Sequence, residues 1–402
     1  MDIKSDPTVD RERKRLKTIQ QSSTVADCDS VQVLPYLPTD IITQILSILP
    51  VKILVKFRCV SRSWRNLISD PIFIEKHLRA SAQDEGYAHH RIIMNSACRR
   101  RFEVKSCSLS TVLHEETPII HDHCYPLKHP RRSVLIVGSV NGLVCIVVDK
   151  DSVFLWNPST RKSNKLTNCG FKKRSGVHIV YGFGYDEASS NYKVIVTKYE
   201  KTAEGPFKTE VKIYGFKSDL WRKLEKFPEG NPTDGPGTFV SGSLHWAGSG
   251  EMELNHSWSI LRPIVCFDLS KETYSEFSQP YYGDGASNSK LGVLCDNLCL
   301  LCNIDYRHAD IWVMKEYGKE ESWSKLFTIP YLHQPDVFPY SVPLCISFTK
   351  TEVLLVIGSR LMLYNMDDQT VRPTNIRDYF QEYHNCLKAY TYIESLVSPY
   401  PE

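Results

Sequence analysis

Cysteine residues in this sequence have a spacing that could support redox or metal chemistry. Cys299 and Cys302 form a Cys-x-x-Cys pair, and Cys295 lies just upstream; this spacing occurs in redox and zinc sites. The run from Leu298 to Cys302 is typical of a β-strand, in which successive side chains alternate between the two faces. The two thiols would then point in opposite directions. The thirteen cysteines lie mostly in such apolar runs, so we predict reduced core thiols rather than a disulfide framework.

A second group of possible metal ligands consists of His121, His123, Cys124 and His129. A zinc site built from two pairs needs spaced pairs on rigid turns, and no companion pair stands out in the sequence. We interpret this stretch as a surface loop, with a metal site as the alternative.

Motifs for nucleotide binding and hydrolysis are incomplete. Gly182-x-Gly184 follows a strand-like run, but it lacks the third glycine and the helix that a dinucleotide site requires. His245 has no identifiable nucleophile, and neither a Gly-x-Ser-x-Gly elbow nor a Gly-Lys-Ser/Thr phosphate loop occurs in the sequence. The sequence therefore predicts no catalytic residues, no metal and no cofactor, which indicates that the chain is not itself an enzyme.

Composition sets limits on the fold and the partners. The chain has 402 residues, of which 42% are hydrophobic and 24% charged, an ordinary balance for a protein of two or three globular domains. The net charge of +3 gives no reason to expect direct binding to nucleic acid or to an anionic membrane. Because the sequence contains neither an apolar signal segment nor eighteen consecutive apolar residues, we expect a cytoplasmic or nuclear protein.

The polar N-terminal residues 1–33 are predicted to form a disordered tail. This tail contains a basic cluster of Arg11, Arg13, Lys14, Arg15 and Lys17. Such a cluster is either a nuclear-import signal or a solvated run of charge, and the sequence leaves both interpretations open.

Helical periodicity begins abruptly near Leu34 and continues to Ala80. Thr39 or Asp40 can cap a first short helix, Pro50 separates it from a second, and a third helix carries Trp64 before Asp70-Pro71 closes it ahead of a last turn. A bundle of roughly 45 residues can bury only part of its surface, and this one has more Ile, Leu and Val than one inner face accommodates. The excess either packs on a neighbouring domain or contacts another protein.

From Ser133 onward the sequence predicts an all-β domain made of short β-branched runs bounded by turn residues. An aromatic residue recurs at intervals of about fifty residues, the length of a kelch-type propeller blade. These residues are Trp156, Tyr214, Phe267, Trp312 and Tyr364. We therefore predict an α+β multidomain chain, with a three-helix bundle followed by a kelch-like β-propeller of about six or seven blades. The Gly-Gly pair typical of kelch repeats is absent from the sequence, and a large β-sandwich remains the alternative.

Two resemblances support this organisation. The segment LPTDIITQILSILPVKILVKFRCVSRSWRNLISDPIF resembles the F-box of plant F-box proteins, with Gln44 where the family usually has an acidic residue. The later runs SVNGLVC, WNPSTR, GFGYD, YKV and GSLHW are similar to the F-box-associated domain that follows the F-box in many of these proteins. The domain boundaries predicted from these resemblances are 1–33 tail, 34–80 F-box, 81–132 connector and first strands, 133–395 F-box-associated domain and 396–402 tail.

The resemblance implies a substrate-recognition subunit of an SCF-type ubiquitin ligase, which binds a Skp-family adaptor and, through it, a cullin. The β domain would bind an unidentified target protein for ubiquitination and proteasomal degradation. Residues implied to form the adaptor surface or the small core behind it are Leu37, Pro38, Ile41, Ile42, Ile45, Leu46, Leu49, Pro50, Val51, Leu54 and Trp64. The alternative is a protein-interaction or nuclear regulatory scaffold that works independently of a ligase.

Overall fold

The structure is a computed structural model of the chain. It describes residues 37–98, 101–114, 117–149, 151–172, 174–202, 207–224, 235–247, 263–282, 286–304, 307–330, 342–346, 351–357, 360–376 and 387–401. The predicted disordered tail and its basic cluster lie outside these residues. Within the described part of the chain, no helix is both long and apolar enough to cross a bilayer.

The N-terminal region contains α1 (Thr39–Ser47), α2 (Val51–Phe57), α3 (Arg62–Ser69) and α4 (Pro71–Ala82). Side-chain caps define the last two helices: Ser61 Oγ accepts a hydrogen bond from Trp64 N, and Asp70 Oδ1 accepts one from Ile72 N. The sequence predicts a last turn after Asp70-Pro71, whereas the structure has its longest helix there. Proline stops a helix in the interior but is favoured at the first helical position, and Pro71 begins α4 in that way.

The chain divides into two compact units, and the division falls inside α1, between Gln44 and Ile45. The second unit contains the rest of the helical region together with all of the strands.

The β region consists of six antiparallel sheets of four strands each. Blade 1 combines the last strand of the chain with the first three: β24 (Leu387–Ile393), β1 (His90–Cys98), β2 (Arg101–Ser108) and β3 (His121–Asp122), with a short helix α5 (Leu109–Leu113) after β2. Blade 2 contains β4 (Val134–Val140), β5 (Leu143–Val148), β6 (Ser152–Asn157) and β7 (Lys162–Lys165). Blade 3 contains β8 (Val177–Asp186), β9 (Asn191–Glu200), β10 (Lys208–Gly215) and β11 (Leu220–Leu224).

The remaining three blades follow in the same order. Blade 4 contains β12 (Thr238–Val240), β13 (Ser243–Ala247), β14 (Ile264–Asp268) and β15 (Thr273–Phe277). Blade 5 contains β16 (Ala286–Leu294), β17 (Asn297–Ile304), β18 (His308–Met314) and β19 (Trp323–Pro330). Blade 6 contains β20 (Val342–Ile346), β21 (Glu352–Ile357), β22 (Arg360–Asn365) and β23 (Val371–Pro373).

The first strands of successive blades contact one another, and the last contact, between β24 and β4, closes the ring. Apolar clusters fill the spaces between neighbouring blades. For example, Val137 and Tyr214 belong to the cluster shared by blades 2 and 3, and Ile92 and Leu354 to the one shared by blades 6 and 1. Each sheet therefore buries its faces mainly against its neighbours, with α5 adding to the cluster between blades 6 and 1. The predicted propeller is confirmed, and it has six blades.

The aromatic repeat marks one position in each of five blades. Trp156, Tyr214, Phe267, Trp312 and Tyr364 all lie in the third strand of their blades. Four of them are nearly inaccessible to solvent and Trp312 is half-buried. Blade 1 does not show the recurring aromatic, although its third strand, β2, is consecutive in the chain with β1 and β3.

Asn157 ties the C-terminal segment to blade 2. Its fully buried Nδ2 donates to the carbonyl oxygens of Ser395 at 3.0 Å and Val397 at 2.8 Å, while its Oδ1 accepts from the backbone N–H of Ser159 and of Thr160. Gly142 allows the same segment to approach closely, since a Cβ there would lie 2.2 Å from Ser395 Oγ. The segment after β24 is thus fastened to the blade next to the one that β24 completes.

We expect the Asn157→Ala substitution to lower the free energy of unfolding by about 2 to 4 kcal/mol, because it leaves buried carbonyl groups without a donor. Urea denaturation followed by tryptophan fluorescence measures this change. The control is Asn168→Ala, at an exposed residue whose side chain accepts one local hydrogen bond from Gly170 N. Equal losses in the two variants would contradict the role given to Asn157.

Candidate protein-binding site in the helical region

The structure divides the eleven predicted residues of the helical region by exposure. Those open to solvent are Leu37, Pro38, Ile41, Ile45 and Pro50. Those that are half-buried are Ile42, Leu49 and Trp64. Those that are buried are Leu46, Val51 and Leu54. The sequence alone did not separate a surface from the core behind it, and the structure makes that separation.

The buried residues belong to a small core that holds the helices in place. Leu46 is 2% exposed and Leu54 is fully buried, and Ile68 from α3 and Phe73 from α4 are buried as well. His77 of α4 adds a polar contact: its Nε2 donates to the carbonyl oxygen of Leu49 at 2.9 Å. Burial lowers the pKa of His77, the Leu49 carbonyl acts in the opposite direction, and the nearby ring of His89 lowers the pKa further. The net shift favours the neutral ring, which donates this hydrogen bond.

Exposed isoleucines follow one face of α1 and its C-terminal turn. Ile41, Ile45 and Ile48 are 40%, 47% and 66% exposed, and their spacing of four and three residues places side chains on the same side of a helix. Ile48 was missed among the predicted residues, although the spacing could have identified it. Val55, Val60 and Ile72 are also exposed and were missed, because neighbouring apolar residues in the sequence do not show which ones point outward.

The helical region joins the propeller through a short, hydrogen-bonded connection. Asp84 accepts hydrogen bonds from the backbone N–H of Gly86 and of Ala88. The carbonyl oxygen of His89 accepts a hydrogen bond from Glu394 N at 2.8 Å. The His89 ring packs edge-on against the ring of His77, with the two ring centroids 5.7 Å apart. The end of α4 is therefore attached to both chain segments that close blade 1.

The residues with possible redox chemistry are packed as structural groups. Cys299 and Cys302 are fully buried on opposite faces of β17, in two different apolar clusters. Burial raises the pKa of Cys299 to about 12 and raises that of Cys302 as well. Both thiols are held in the protonated form, which is the unreactive one.

Among the possible metal ligands, His123 is engaged by other side chains. Its Nε2 lies 2.7 Å from Ser106 Oγ and its ring packs edge-on against Trp156. His121 and Cys124 are exposed. Within the described ranges, no three His, Cys, Asp or Glu residues come together in a way that could hold a metal ion.

His245 is buried at the boundary of blades 4 and 5. Its Nδ1 donates to the Thr238 carbonyl oxygen at 3.1 Å, which leaves Nε2 to accept from the Tyr317 hydroxyl at 3.0 Å. Burial lowers the pKa of His245 to about 4, although the Thr238 carbonyl acts in the opposite direction. Both ring nitrogens are used within the core, so the geometry describes a structural histidine.

Comparisons with known proteins agree with this architecture. A family described as "F-box domain" matches residues 34–76, and one described as "F-box associated beta propeller domain" matches residues 96–399. The chain belongs to the F-box-associated β-propeller family of F-box proteins. Its relatives include the Arabidopsis thaliana F-box/kelch-repeat protein At3g23880, 32% identical over 90% of this chain and 96% of the relative. Another is the F-box protein CPR1 of the same plant, 29% identical over 85% of each chain.

With this assignment, α1 to α4 are the helices of the F-box and the six blades form the associated propeller. Several propeller aromatics lie within strands and pack inward: Tyr181 and Tyr185 are in β8, Tyr199 is in β9 and Trp246 is in β13. Tyr181, Tyr199 and Trp246 are buried, and Tyr185 and Tyr282 are half-buried. Tyr281, by contrast, is 76% exposed. Trp258 and Tyr306 lie outside the described residues.

We expect this F-box protein to lose stability as the pH falls from about 6.5 to about 4. In the unfolded chain a histidine has a pKa of about 6.5, so as the pH falls it binds a proton at a higher pH than His245 does in the folded protein. Acid therefore favours the unfolded state. The difference between the folded-state and unfolded-state pKa values of His245 corresponds to about 3 kcal/mol of unfolding free energy. Urea denaturation at a series of pH values measures the loss, and His245→Gln, which does not titrate, should flatten the curve. His129→Gln, at an exposed residue, is the control, and an unchanged slope in His245→Gln would contradict the assignment.

Proposed function

We propose that this F-box protein is the substrate-recognition subunit of an SCF-type ubiquitin ligase. The F-box binds a Skp-family adaptor and, through it, a cullin, while the propeller binds a target protein for ubiquitination and proteasomal degradation. The observation that carries this proposal is the exposed apolar face of α1, formed by Ile41, Ile45 and Ile48. The family assignment to F-box proteins supports it.

The exposed face has the chemistry of a protein interface. Burying one isoleucine side chain contributes about 1.5 to 3 kcal/mol, so three neighbouring isoleucines contribute a large share of a binding free energy. The core behind them, with Leu46 and Leu54 already buried, keeps the helix in place without a partner. The partner therefore meets a largely preformed surface, which lowers the entropic cost of association.

Within this proposal the eleven predicted residues have two roles. Contacts with the adaptor come from the exposed and half-buried members, Leu37, Pro38, Ile41, Ile42, Ile45, Leu49, Pro50 and Trp64, to which Ile48 is added. Leu46, Val51 and Leu54 support that surface from behind. The protein acts in the cytoplasm, the nucleus or both.

The function requires no catalytic group from this chain. A receptor that binds the target and the ligase together raises the effective concentration of a target lysine near the ubiquitin-charged enzyme.

We expect Ile45→Asp to weaken adaptor binding at least tenfold, because a carboxylate placed in an apolar interface must lose its hydration. Co-purification of the full chain with a recombinant Skp-family adaptor, followed by titration calorimetry, measures the effect. Leu220→Asp, at a 67% exposed residue of β11, is a matched control on the propeller and should bind the adaptor normally. Undiminished binding by Ile45→Asp would reject the proposed interface.

Turnover of bound proteins distinguishes the ligase subunit from a ligase-independent scaffold. If the proposal is correct, proteins captured by the propeller accumulate when the proteasome is inhibited, and they accumulate equally without inhibitor in cells that express Ile45→Asp. Unchanged levels of every captured protein under both conditions would favour the scaffold.

A further inference from the structure

Blade 1 has an open cleft along its outer edge. Its fourth strand, β3, has two residues, whereas the fourth strands of the other blades have three to eight. The space beside β2 is bounded instead by the segment Lys128–Arg131, and it forms a cleft of about 1360 Å³. Pockets for small molecules are commonly about 300 to 1,000 Å³, so this cleft has room for a segment of polypeptide.

The backbone edge of β2 is partly occupied by the chain itself. Phe102 N donates to the carbonyl oxygen of Pro130 at 2.9 Å, and Val104 O accepts from His123 N at 3.1 Å. These bonds interrupt the row of groups that an added strand would need. A ligand in the cleft would therefore be recognised by the side chains that line it rather than by the backbone of β2.

Those side chains give the cleft an excess of positive charge. Lys105 pairs with Glu103 at 2.8 Å, and Lys128 pairs with Asp122 at 2.7 Å. Arg101 and Arg131 also line the cleft and are exposed, and neither has an acidic partner within the described part of the chain. The pKa of the neighbouring His123 is lowered to about 4, mainly by burial and further by Arg91 and His121, while Asp122 acts in the opposite direction.

Apolar residues also line the cleft. Phe102 and Ile120 are half-buried walls of the cleft, and Pro130 is exposed beside them. The cleft thus combines two unpaired guanidinium groups, which favour carboxylates and can bind them in a bidentate manner, with an apolar surface for one or two side chains.

We propose that this cleft, formed beside the truncated β3, binds an acidic, extended segment of a target protein that carries at least one apolar side chain. The proposal rests on the proposed function, since it names the chemistry of the target that the propeller receives. In the pairing of β1 with β2, Arg101 lies opposite Cys98, the last residue of β1. The F-box joins at the other end of β1, at His90. This places the arginine end of the cleft roughly 26 Å along the strand from the junction.

A protein segment fits the cleft better than nucleic acid does. Affinity for nucleic acid comes largely from Lys and Arg side chains that neutralise phosphates, whereas two of the four Lys and Arg side chains that line this cleft are already paired with carboxylates. Glu103 and Asp122 would repel a continuous phosphate backbone, but a peptide with separated carboxylates avoids them.

The test uses the full chain in complex with its adaptor. A fluorescein-labelled twelve-residue peptide of Glu and Asp with a central Leu-Phe pair is titrated by fluorescence polarisation. We expect Arg101→Glu combined with Arg131→Glu to weaken binding at least tenfold. The affinity of the unchanged protein should fall as salt is raised, and a Gln/Asn version of the peptide should not bind.

A matched control has the same change of charge elsewhere. Arg307→Glu combined with Arg360→Glu alters two exposed arginines in blades 5 and 6, and Arg360 begins the third strand of its blade as Arg101 does. This control should bind the peptide normally. Adaptor binding, measured on the same samples, should be equal in all variants. Loss of adaptor binding would count against the F-box proposal, and loss of peptide binding alone concerns the cleft.

Three results would overturn the inference. One is absence of peptide binding by the unchanged protein, and another is equal binding by the cleft variant and the unchanged protein. The third is tighter binding of a single-stranded RNA oligonucleotide than of the peptide, with loss in the cleft variant, which would make this a nucleic-acid site.

Discussion

The pairing of β24 with β1 is the interaction on which the rest of the propeller depends. A four-stranded sheet cannot bury both of its faces alone, so each blade is stable only between two neighbours. Blade 1 acquires its innermost strand from the opposite end of the β region, in a register that runs from His90–Ile393 to Ser96–Leu387. Closing this long loop costs chain entropy. Hydrogen bonds along the whole of β24 and the apolar clusters on both sides of blade 1 offset this loss of chain entropy.

Closure also determines where the F-box is attached. β1 begins directly after the connection from α4, and β24 ends directly beside it, where Glu394 N donates to His89 O. The segment that follows then crosses to blade 2 and is held by Asn157. The F-box is therefore joined at the one point where both ends of the ring meet, and the hydrogen bonds that close the ring also restrain the junction.

The sequence was sufficient to predict the propeller because the third strand of five blades carries the same kind of residue. Trp156, Tyr214 and Tyr364 recur at nearly constant intervals, since each fills the same position in a blade. The third strand of blade 1, β2, does not carry the aromatic at the recurring interval. No local signal in the sequence reports the pairing of residues 90 and 393 either. Helix α4 was missed for a different reason: Asp70-Pro71 has the composition of a stop signal, but the same pair is an N-cap followed by a first-turn proline. In the F-box, periodicity identified the apolar residues but not their division into surface and core, because that division depends on which helices pack together in three dimensions.

Ring closure explains why the outer edge of a blade can differ from its neighbours at little cost to the fold. The inner strands contact the next blades and carry most of the buried side chains, as β5 does with all six of its residues buried. The outer strands contribute less: β7 and β15 have no buried residue. Shortening β3 to two residues therefore removes little from the core, while it leaves β2 flanked by charged and apolar side chains that are accessible to another molecule. In a propeller of this kind, variation at the outer edges can change what is bound without disturbing the closure that keeps the F-box in place.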